Sequence, residues 1–173
     1  SSNTTASNNT AVGAAALSAN TTATGGVGIG YRALNVNTTG ANNTAVGSDA
    51  LLANTTGHSN TALGQHAVKT ATTATYNTGL GRLALGAATT GSFNTAVGAL
   101  SGDAITTGAD NTFVGYQSGS GTTTGADNTA IGQDALLANT TGGNNVAVGS
   151  LALDANTTGG ENTAVGYQSL SSA

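Results

Sequence analysis

A branched apolar residue followed directly by glycine recurs every 17 residues along the chain. These glycines are Gly13, Gly30, Gly47, Gly64, Gly81, Gly98, Gly115, Gly132, Gly149 and Gly166. No insertion or deletion alters the interval between the first copy and the last. A period of this length, kept without interruption, is typical of a solenoid in which each repeat is one coil stacked on the next. The pattern therefore predicts a rod of ten 17-residue coils.

Each coil follows the consensus N-T-A-V-G-x-x-A-L-x-A-N-T-T-G-x-x, with coil positions numbered from the first Asn. The fourth position is always Val, Ile or Leu, and the ninth is Leu or Val in eight of the ten coils. We expect both positions to face inward. Short segments rich in β-branched residues favour two strands per coil, T-A-V and A-L-x-A. The predicted fold class is all-β: a parallel β-solenoid, or β-roll, forming a single repeat domain over residues 1–173.

The polar positions repeat as strictly as the apolar ones. Asn fills the first position of every coil except the one with Gly26, and paired Thr occurs in every coil. Stacked Asn amides can bond to one another along a solenoid, and stacked Thr hydroxyls can do the same, so we expect structural ladders. The alternative is a flat Thr array that binds ice. It is disfavoured because adjacent Thr side chains on a strand point to opposite faces.

Two further positions carry small residues. The third position is Ala or Gly in every coil but the one with Phe113, and the eighth is Ala or Ser throughout. A strand that is apolar on both faces is usually covered on both faces. We therefore expect one face to pack inside the coil and the small residues to let a second copy of the chain approach closely. The alternative is that they line the narrow interior of a monomer.

The charge content of the chain excludes several classes of partner. Charged residues make up 6% of the sequence, the net charge is −4, and Arg32, Lys69 and Arg82 are its only cationic side chains. Binding to nucleic acid or to an anionic membrane surface needs a stripe of basic residues, which three cations cannot form. No apolar run is long enough to insert into a membrane. The lack of Cys excludes disulfides and thiolate metal sites.

Catalytic chemistry has little support in the sequence. The only histidines, His58 and His66, fall at different coil positions, and neither has a second His or a carboxylate at ligand spacing. We therefore expect no enzyme activity and no cofactor. Asp110 and Asp127 share a turn position in consecutive coils, about 4.8 Å apart if stacked. Solvated turn residues are the favoured interpretation of this pair, and a weak Ca²⁺ site is the alternative.

Two segments carry a resemblance to known repeat proteins: N-T-A-V-G-Y-Q-S-L at Asn162–Leu170 and N-T-F-V-G-Y-Q-S at Asn111–Ser118. They are similar to the N-T-A-V-G-Y-Q-A-L repeats of some bacteriophage tail fibres, and they also resemble the head repeat of YadA-like trimeric autotransporter adhesins. The resemblance spans essentially the whole chain. It implies a left-handed β-roll that trimerises within an extracellular fibre or adhesin on a cell surface or virion. The coil here is longer than the adhesin coil around N-T-T-G.

The middle coils depart from the consensus. Gly102 and Gly119 replace the ninth-position Leu, and the twelfth-position Asn is replaced in four consecutive coils. Large residues appear off the pattern nearby: Tyr76, Leu83, Phe93, Leu100 and Phe113. Local replacement of lost core volume is the favoured interpretation. The alternative is a surface for recognition of a glycan or receptor, with Tyr76, Phe93 and Tyr116 as the candidate residues.

The 17-residue phase continues through both ends of the chain. This continuity predicts either a segment of a longer fibre or subunits that stack head to tail. The expected function is a structural extracellular fibre or adhesin element that self-associates as a homotrimer or a head-to-tail filament. The alternative is a binding module that presents a flat polar face to glycan, receptor or ice.

Overall fold

A computed structural model describes residues 3–171 as one stack of coils, each contributing a single short strand to one sheet. The ten strands lie parallel and in chain order, and each residue pairs with the residue 17 positions on, as Thr44 does with Thr61. The strands are β1 (Thr10–Val12), β2 (Val27–Ile29), β3 (Thr44–Val46), β4 (Thr61–Leu63), β5 (Thr78–Leu80), β6 (Thr95–Val97), β7 (Thr112–Val114), β8 (Thr129–Ile131), β9 (Val146–Val148) and β10 (Thr163–Val165). The predicted parallel β-solenoid is confirmed.

The fifth-position glycine ends each strand and turns the chain out of the sheet. Gly47 has a φ of 134°, a conformation that residues with a Cβ rarely adopt. A Cβ on Gly47 would also lie only 2.6 Å from the carbonyl oxygen of Gly64 in the next coil. Backbone conformation and coil stacking both require glycine at this position, which explains why the interval is kept so strictly.

The A-L-x-A segment forms turns, so the predicted second strand of each coil is wrong. The ninth-position residues have positive φ throughout, as in Leu34 (50°) and Leu51 (49°). A residue in this left-handed region cannot continue a β-strand. The segment still bonds to the neighbouring coil, since the Leu34 N–H donates to the Ala50 carbonyl oxygen at 3.1 Å.

In each strand, the buried face and the exposed face are the reverse of those that the sequence predicts. Third-position Ala45 is fully buried, whereas fourth-position Val12 and Leu63 are 57% and 50% exposed. The predicted inward stack at the fourth position is therefore wrong, while that at the ninth position is confirmed. The reason is space: a Cβ added to third-position Gly28 would already lie 3.2 Å from Cγ of ninth-position Leu17. Room remains across this thin coil for a methyl group, and branched side chains take the other face because side chains alternate along a strand.

The small positions line the interior of the solenoid. Eighth-position Ala33 and Ala50 are fully buried, as is third-position Ala62. The expected close approach of a second copy through these residues is wrong. The alternative, a narrow interior lined by Ala and Gly, is confirmed.

Two columns of buried Asn run along the interior. At the first position, Asn60 Nδ2 donates to Asn43 Oδ1 at 3.1 Å, and Asn60 Oδ1 accepts the Asn77 N–H at 2.9 Å. At the twelfth position, Asn54 Nδ2 donates to Asn37 Oδ1 at 2.7 Å. The expected Asn ladders are confirmed, and they satisfy turn amides and carbonyls that would otherwise be buried without partners.

The Thr residues bond differently from the expectation. Thr38 Oγ1 donates to the backbone carbonyl oxygen of Thr55 at 3.0 Å, and the same bond recurs along the thirteenth position. The second Thr of each pair, such as Thr39, is exposed. The expected bonding between stacked Thr hydroxyls is wrong, because the thirteenth-position hydroxyls from Thr21 to Thr140 each donate to a backbone carbonyl oxygen one coil away.

Local repacking is confirmed at one site in the middle coils. Phe113 is fully buried although it occupies a position that holds Ala or Gly elsewhere. A Cβ on Gly119 would lie 2.6 Å from Phe113 Cζ, and one on Gly102 would lie 2.8 Å from Phe113 Cδ2. The Phe113 ring therefore fills the space that two missing ninth-position Leu side chains leave. Tyr76 and Phe93 are exposed, so the repacking interpretation is wrong for them.

Candidate functional surface

The outward residues of the ten strands form a continuous surface, called here the sheet face. It consists of the second and fourth coil positions: Thr10, Val12, Val27, Ile29, Thr44, Val46, Thr61, Leu63, Thr78, Leu80, Thr95, Val97, Thr112, Val114, Thr129, Ile131, Val146, Val148, Thr163 and Val165. Because the strands pair in register, branched aliphatic side chains form one row and mostly Thr the other. Ten strands at about 4.8 Å spacing make each row about 45 Å long.

Charged residues avoid the sheet face. The three basic and seven acidic side chains of the chain all lie at coil positions outside the strands. A surface of branched aliphatic and Thr side chains without charge is unusual for a monomer exposed to water, whose apolar patches rarely exceed a few hundred Å². Chemically, the sheet face is suited to burial against another uncharged surface.

A second surface feature is a row of three aromatic side chains on consecutive coils, called here the aromatic strip: His58, Tyr76 and Phe93. The rings of Tyr76 and Phe93 stack almost parallel, with their centroids 5.2 Å apart and an angle of 8° between the planes. His58 meets Tyr76 edge-on at 5.1 Å and 87°. Tyr76 and Phe93 are nevertheless 52% and 55% exposed. The strip is therefore an ordered aromatic cluster that projects from the turn preceding β5 and β6.

The backbone at the aromatic strip adopts a conformation that aromatic residues disfavour. Tyr76 and Phe93 have φ values of 58° and 61°, as do the residues at the same turn position in other coils, such as Asn42 (58°) and Asn144 (59°). Asn tolerates this left-handed region, whereas a bulky side chain there costs about 1–2 kcal/mol. Tyr76 and Phe93 thus adopt a left-handed backbone conformation that is unfavourable for aromatic residues.

Hydrogen bonds hold the two strip-bearing turns together. The Thr75 N–H donates to Ser92 Oγ at 3.0 Å, and the two hydroxyl oxygens lie 3.4 Å apart. The Phe93 N–H donates to the Thr75 carbonyl oxygen at 3.1 Å, and the Tyr76 N–H donates to the His58 carbonyl oxygen at 3.2 Å. These bonds fix the spacing of the turns and therefore the stacking of the rings.

The structure does not bring Tyr116 to the other candidate recognition residues. Tyr116 occupies the sixth coil position, beyond the glycine that ends β7, whereas Tyr76 and Phe93 precede their strands. The strip and Tyr116 therefore lie beyond opposite ends of the strands. Tyr116 is exposed, and so are Tyr31 and Tyr167 at the same position in other coils.

Asp110 and Asp127 stack on consecutive coils as the sequence predicts. Both are exposed, and their backbone N–H groups donate to Ser92 and Ala109 of the preceding coils at 3.2 and 3.1 Å. Within residues 3–171, no group of three or more His, Cys, Asp or Glu side chains converges on a point where a metal ion would fit. Because Ca²⁺ takes six to eight oxygen ligands, solvated turn residues remain the favoured interpretation of this pair.

Sequence reasoning missed a charged cluster on the seventh coil position. Arg32 donates to both carboxylate oxygens of Asp49 at 2.9 Å, and His66 Nε2 lies 3.4 Å from Asp49 Oδ2. The hydrogen bonds from Arg32 hold the pKa of the buried Asp49 carboxyl below its usual value. Arg32, Asp49 and His66 are spaced 17 residues apart, which places their side chains in one column. This spacing was the sequence signal from which the cluster could have been predicted. The contacts among these three side chains connect three consecutive coils.

Comparison of the chain with protein-family models, with curated proteins and with solved structures finds no match. The part of the chain that the structure describes contains no helix long and apolar enough to cross a membrane.

Proposed function

We propose that the chain is a structural element of an extracellular fibre or adhesin and that it self-associates through the sheet face. One observation carries this proposal: a row of branched aliphatic side chains runs outward along all ten strands, and every charge lies elsewhere. Burial of such a surface against a second uncharged surface is favourable by about 25 cal/mol per Å². The resemblance to fibre and adhesin repeats supports the same function and an extracellular or virion location.

The resemblance to YadA-like trimeric adhesin repeats favours a trimer over a dimer for association through the sheet face. A face about 45 Å long and about 10 Å wide offers on the order of 500 Å² per chain. Two copies that meet through this face would bury about 1,000 Å² in total, at the lower limit for a specific interface. The sheet face lies at the side of the solenoid, so copies meeting there run side by side.

The particle mass of the purified chain, measured by light scattering and analytical ultracentrifugation, tests this proposal. We expect three chains per particle. Val97→Glu places a charge in the aliphatic row of β6, and we expect it to convert the trimer to monomer, because burying an unpaired carboxylate is strongly unfavourable.

Thr90→Glu is the matched control, since it adds the same charge to an exposed turn outside the sheet face. It should leave the particle mass unchanged, and circular dichroism should show that both variants keep the wild-type fold. A wild-type chain that remains monomeric at high concentration would contradict the proposal, as would a Val97→Glu particle of unchanged mass. Particles of open-ended length in both variants would instead favour a head-to-tail filament.

A further inference from the structure

Three coil positions hold the same residue in every coil: the fifth-position Gly and the thirteenth- and fourteenth-position Thr. The fold accounts for two of them, through the positive φ of the glycine and the bond from the thirteenth-position hydroxyl to a carbonyl oxygen. It does not account for the fourteenth-position Thr. This residue is exposed in every coil, as Thr39 and Thr90 are, and its hydroxyl has no hydrogen-bond partner within residues 3–171.

Exposed positions elsewhere on the rod vary. The sixth position carries Ala, Tyr, Ser, Gln or Arg, and the seventeenth carries Asn, Gly, Ser, Tyr, Phe, Asp or Glu. The backbone of the fourteenth residue makes no special demand, since the bond from the Thr56 N–H to the Thr72 carbonyl oxygen at 3.3 Å is one that any residue except Pro can form. An exposed residue that never varies therefore indicates a ligand that contacts every coil.

The two invariant Thr positions lie side by side on one surface of the rod, called here the Thr face. The N-T-T-G segment forms a bend, so Thr38 and Thr39 are both accessible to solvent, while Asn37 and Gly40 on either side of them are buried. The sequence argument against a Thr array assumed a strand and does not apply to this bend. The eleventh and sixteenth positions beside the Thr face hold mostly Ala, Gly, Ser or Thr.

Hydrogen bonds hold the Thr face at a uniform repeat. The Thr72 carbonyl oxygen accepts bonds from the Thr55 N–H at 2.9 Å, the Thr56 N–H at 3.3 Å and the Thr55 hydroxyl at 3.0 Å. The distance from hydroxyl to carbonyl oxygen stays between 2.9 and 3.2 Å from Thr21 to Thr140. The Thr pairs therefore form two parallel rows that repeat at the coil spacing of about 4.8 Å.

We infer that the Thr face binds the surface of ice. A ligand that uses one identical group in every coil must itself be periodic, and a crystal lattice meets this condition, whereas a folded protein or a short glycan does not. Oxygen atoms on the surface of ice repeat at a distance close to the coil spacing. The Thr hydroxyl, with one donor and two acceptor sites, can take the place of a lattice water, and the Thr methyl group orders water around it.

Rigidity and lack of charge make the Thr face suitable for this ligand. Thr is β-branched and stiff at χ1, so its side chain loses little rotational freedom on binding. Charged side chains are costly to dehydrate, and all of those in this chain lie at the sixth, seventh, tenth and seventeenth positions, outside the Thr face. Turn positions separate the Thr face from the sheet face, so ice binding is compatible with association of copies through the strands.

Thermal hysteresis, the gap between the melting and freezing temperatures of an ice crystal in a solution of the full chain, tests this inference. We expect measurable hysteresis and faceted ice crystals. Thr90→Tyr places a ring in the middle of the Thr face, at an exposed position where it should not disturb the fold. It should lower the hysteresis by more than half, because the ring holds the neighbouring Thr side chains away from the lattice.

Gln65→Tyr is the matched control, because it adds the same ring at the exposed sixth position, where Tyr31 and Tyr116 stand in other coils. It should keep the wild-type hysteresis, and circular dichroism should show the wild-type fold in both variants. The inference is overturned if the wild-type chain shows no hysteresis at its highest soluble concentration, or if Thr90→Tyr and Gln65→Tyr give equal hysteresis. It is also overturned if Thr90→Tyr lowers the particle mass, since the Thr face would then be a contact between copies. None of these results depends on the Val97→Glu outcome.

Discussion

At the scale of single residues, the first-position Asn shows how a thin solenoid can have a polar interior. From Asn43 to Asn145, each amide side chain in this column bonds both to a neighbouring Asn and to a turn carbonyl, as Asn128 does with Asn111 Oδ1 at 3.1 Å and the Gly142 carbonyl oxygen at 2.9 Å. One rung is missing. Gly26 offers no side-chain oxygen, and the buried Asn43 N–H has no hydrogen-bond partner within residues 3–171.

Gly26→Asn should therefore stabilise the protein. The new Oδ1 would accept the Asn43 N–H, as Asn43 Oδ1 accepts the Asn60 N–H at 2.9 Å. The new Cβ would lie 3.0 Å from Asn9 Oδ1, and a shift of a few tenths of an ångström relieves this contact. Restoring the bond and removing a glycine together contribute about 1–2 kcal/mol to the free energy of unfolding, measurable by urea denaturation.

Asn60→Gly creates the same gap in an intact part of the ladder and is the mirror-image control. It should lower the free energy of unfolding by about 2–4 kcal/mol, because it removes a hydrogen-bonded side chain and leaves the buried Asn77 N–H unpaired. If Gly26→Asn destabilises the chain as much as Asn60→Gly does, side-chain bonding in this column does not determine stability.

At the scale of one coil, volume is shared between the strand and the turn opposite it. Most coils pair a small third-position residue with a ninth-position Leu. The coil with Phe113 reverses the pairing: its third-position residue is large and its ninth-position residue is Gly119. Gly102 is the ninth-position residue of the preceding coil, and the Phe113 ring also fills the space beside it. The backbone is the same in both arrangements, since Gly102 and Gly119 have φ values of 56° and 63°, close to those of the Leu residues.

Restoring the consensus in these coils should reveal coupling between the three positions. Phe113→Ala alone should cost about 3–5 kcal/mol through the cavity that it leaves. Gly119→Leu alone should also destabilise, because its side chain would overlap Phe113. The triple variant Phe113→Ala, Gly102→Leu and Gly119→Leu should recover at least half of the loss in urea denaturation. Additive losses in the triple variant would show that Phe113 does not replace the Leu side chains.

At the scale of the whole molecule, each strand pairs only with the strands of the coils before and after it. Stability in such an array is approximately a sum of coil terms and of terms for neighbouring interfaces. Register is then the property that the array must keep, because every ladder and every buried column depends on a spacing of 17 residues.

Removal of residues 128–144, one full coil, should leave a folded solenoid one strand shorter. Asp127 would then precede Asn145, and every column would continue in phase. The urea m-value should fall by about a tenth, in proportion to the surface exposed on unfolding. Removal of residues 128–143, one residue fewer, should displace both following coils from their columns and unfold them, which limited proteolysis would detect. Equal protease resistance of the two deletions would contradict register as the determinant of folding.

The sequence alone determined the period, the parallel register, the inward ninth position and the Asn ladders, because each follows from identical residues meeting at every coil. Only the tertiary structure decided which face of T-A-V is buried. A three-residue strand has apolar side chains on both faces, and the choice depends on how far Leu34 and its counterparts reach across the coil. That reach follows from left-handed φ values that Leu does not prefer, so propensity could not predict it. The exposure of the aromatic strip also needed the structure: the 17-residue spacing of Tyr76 and Phe93 places them in one column, but the sequence favoured both as replacements for lost core volume.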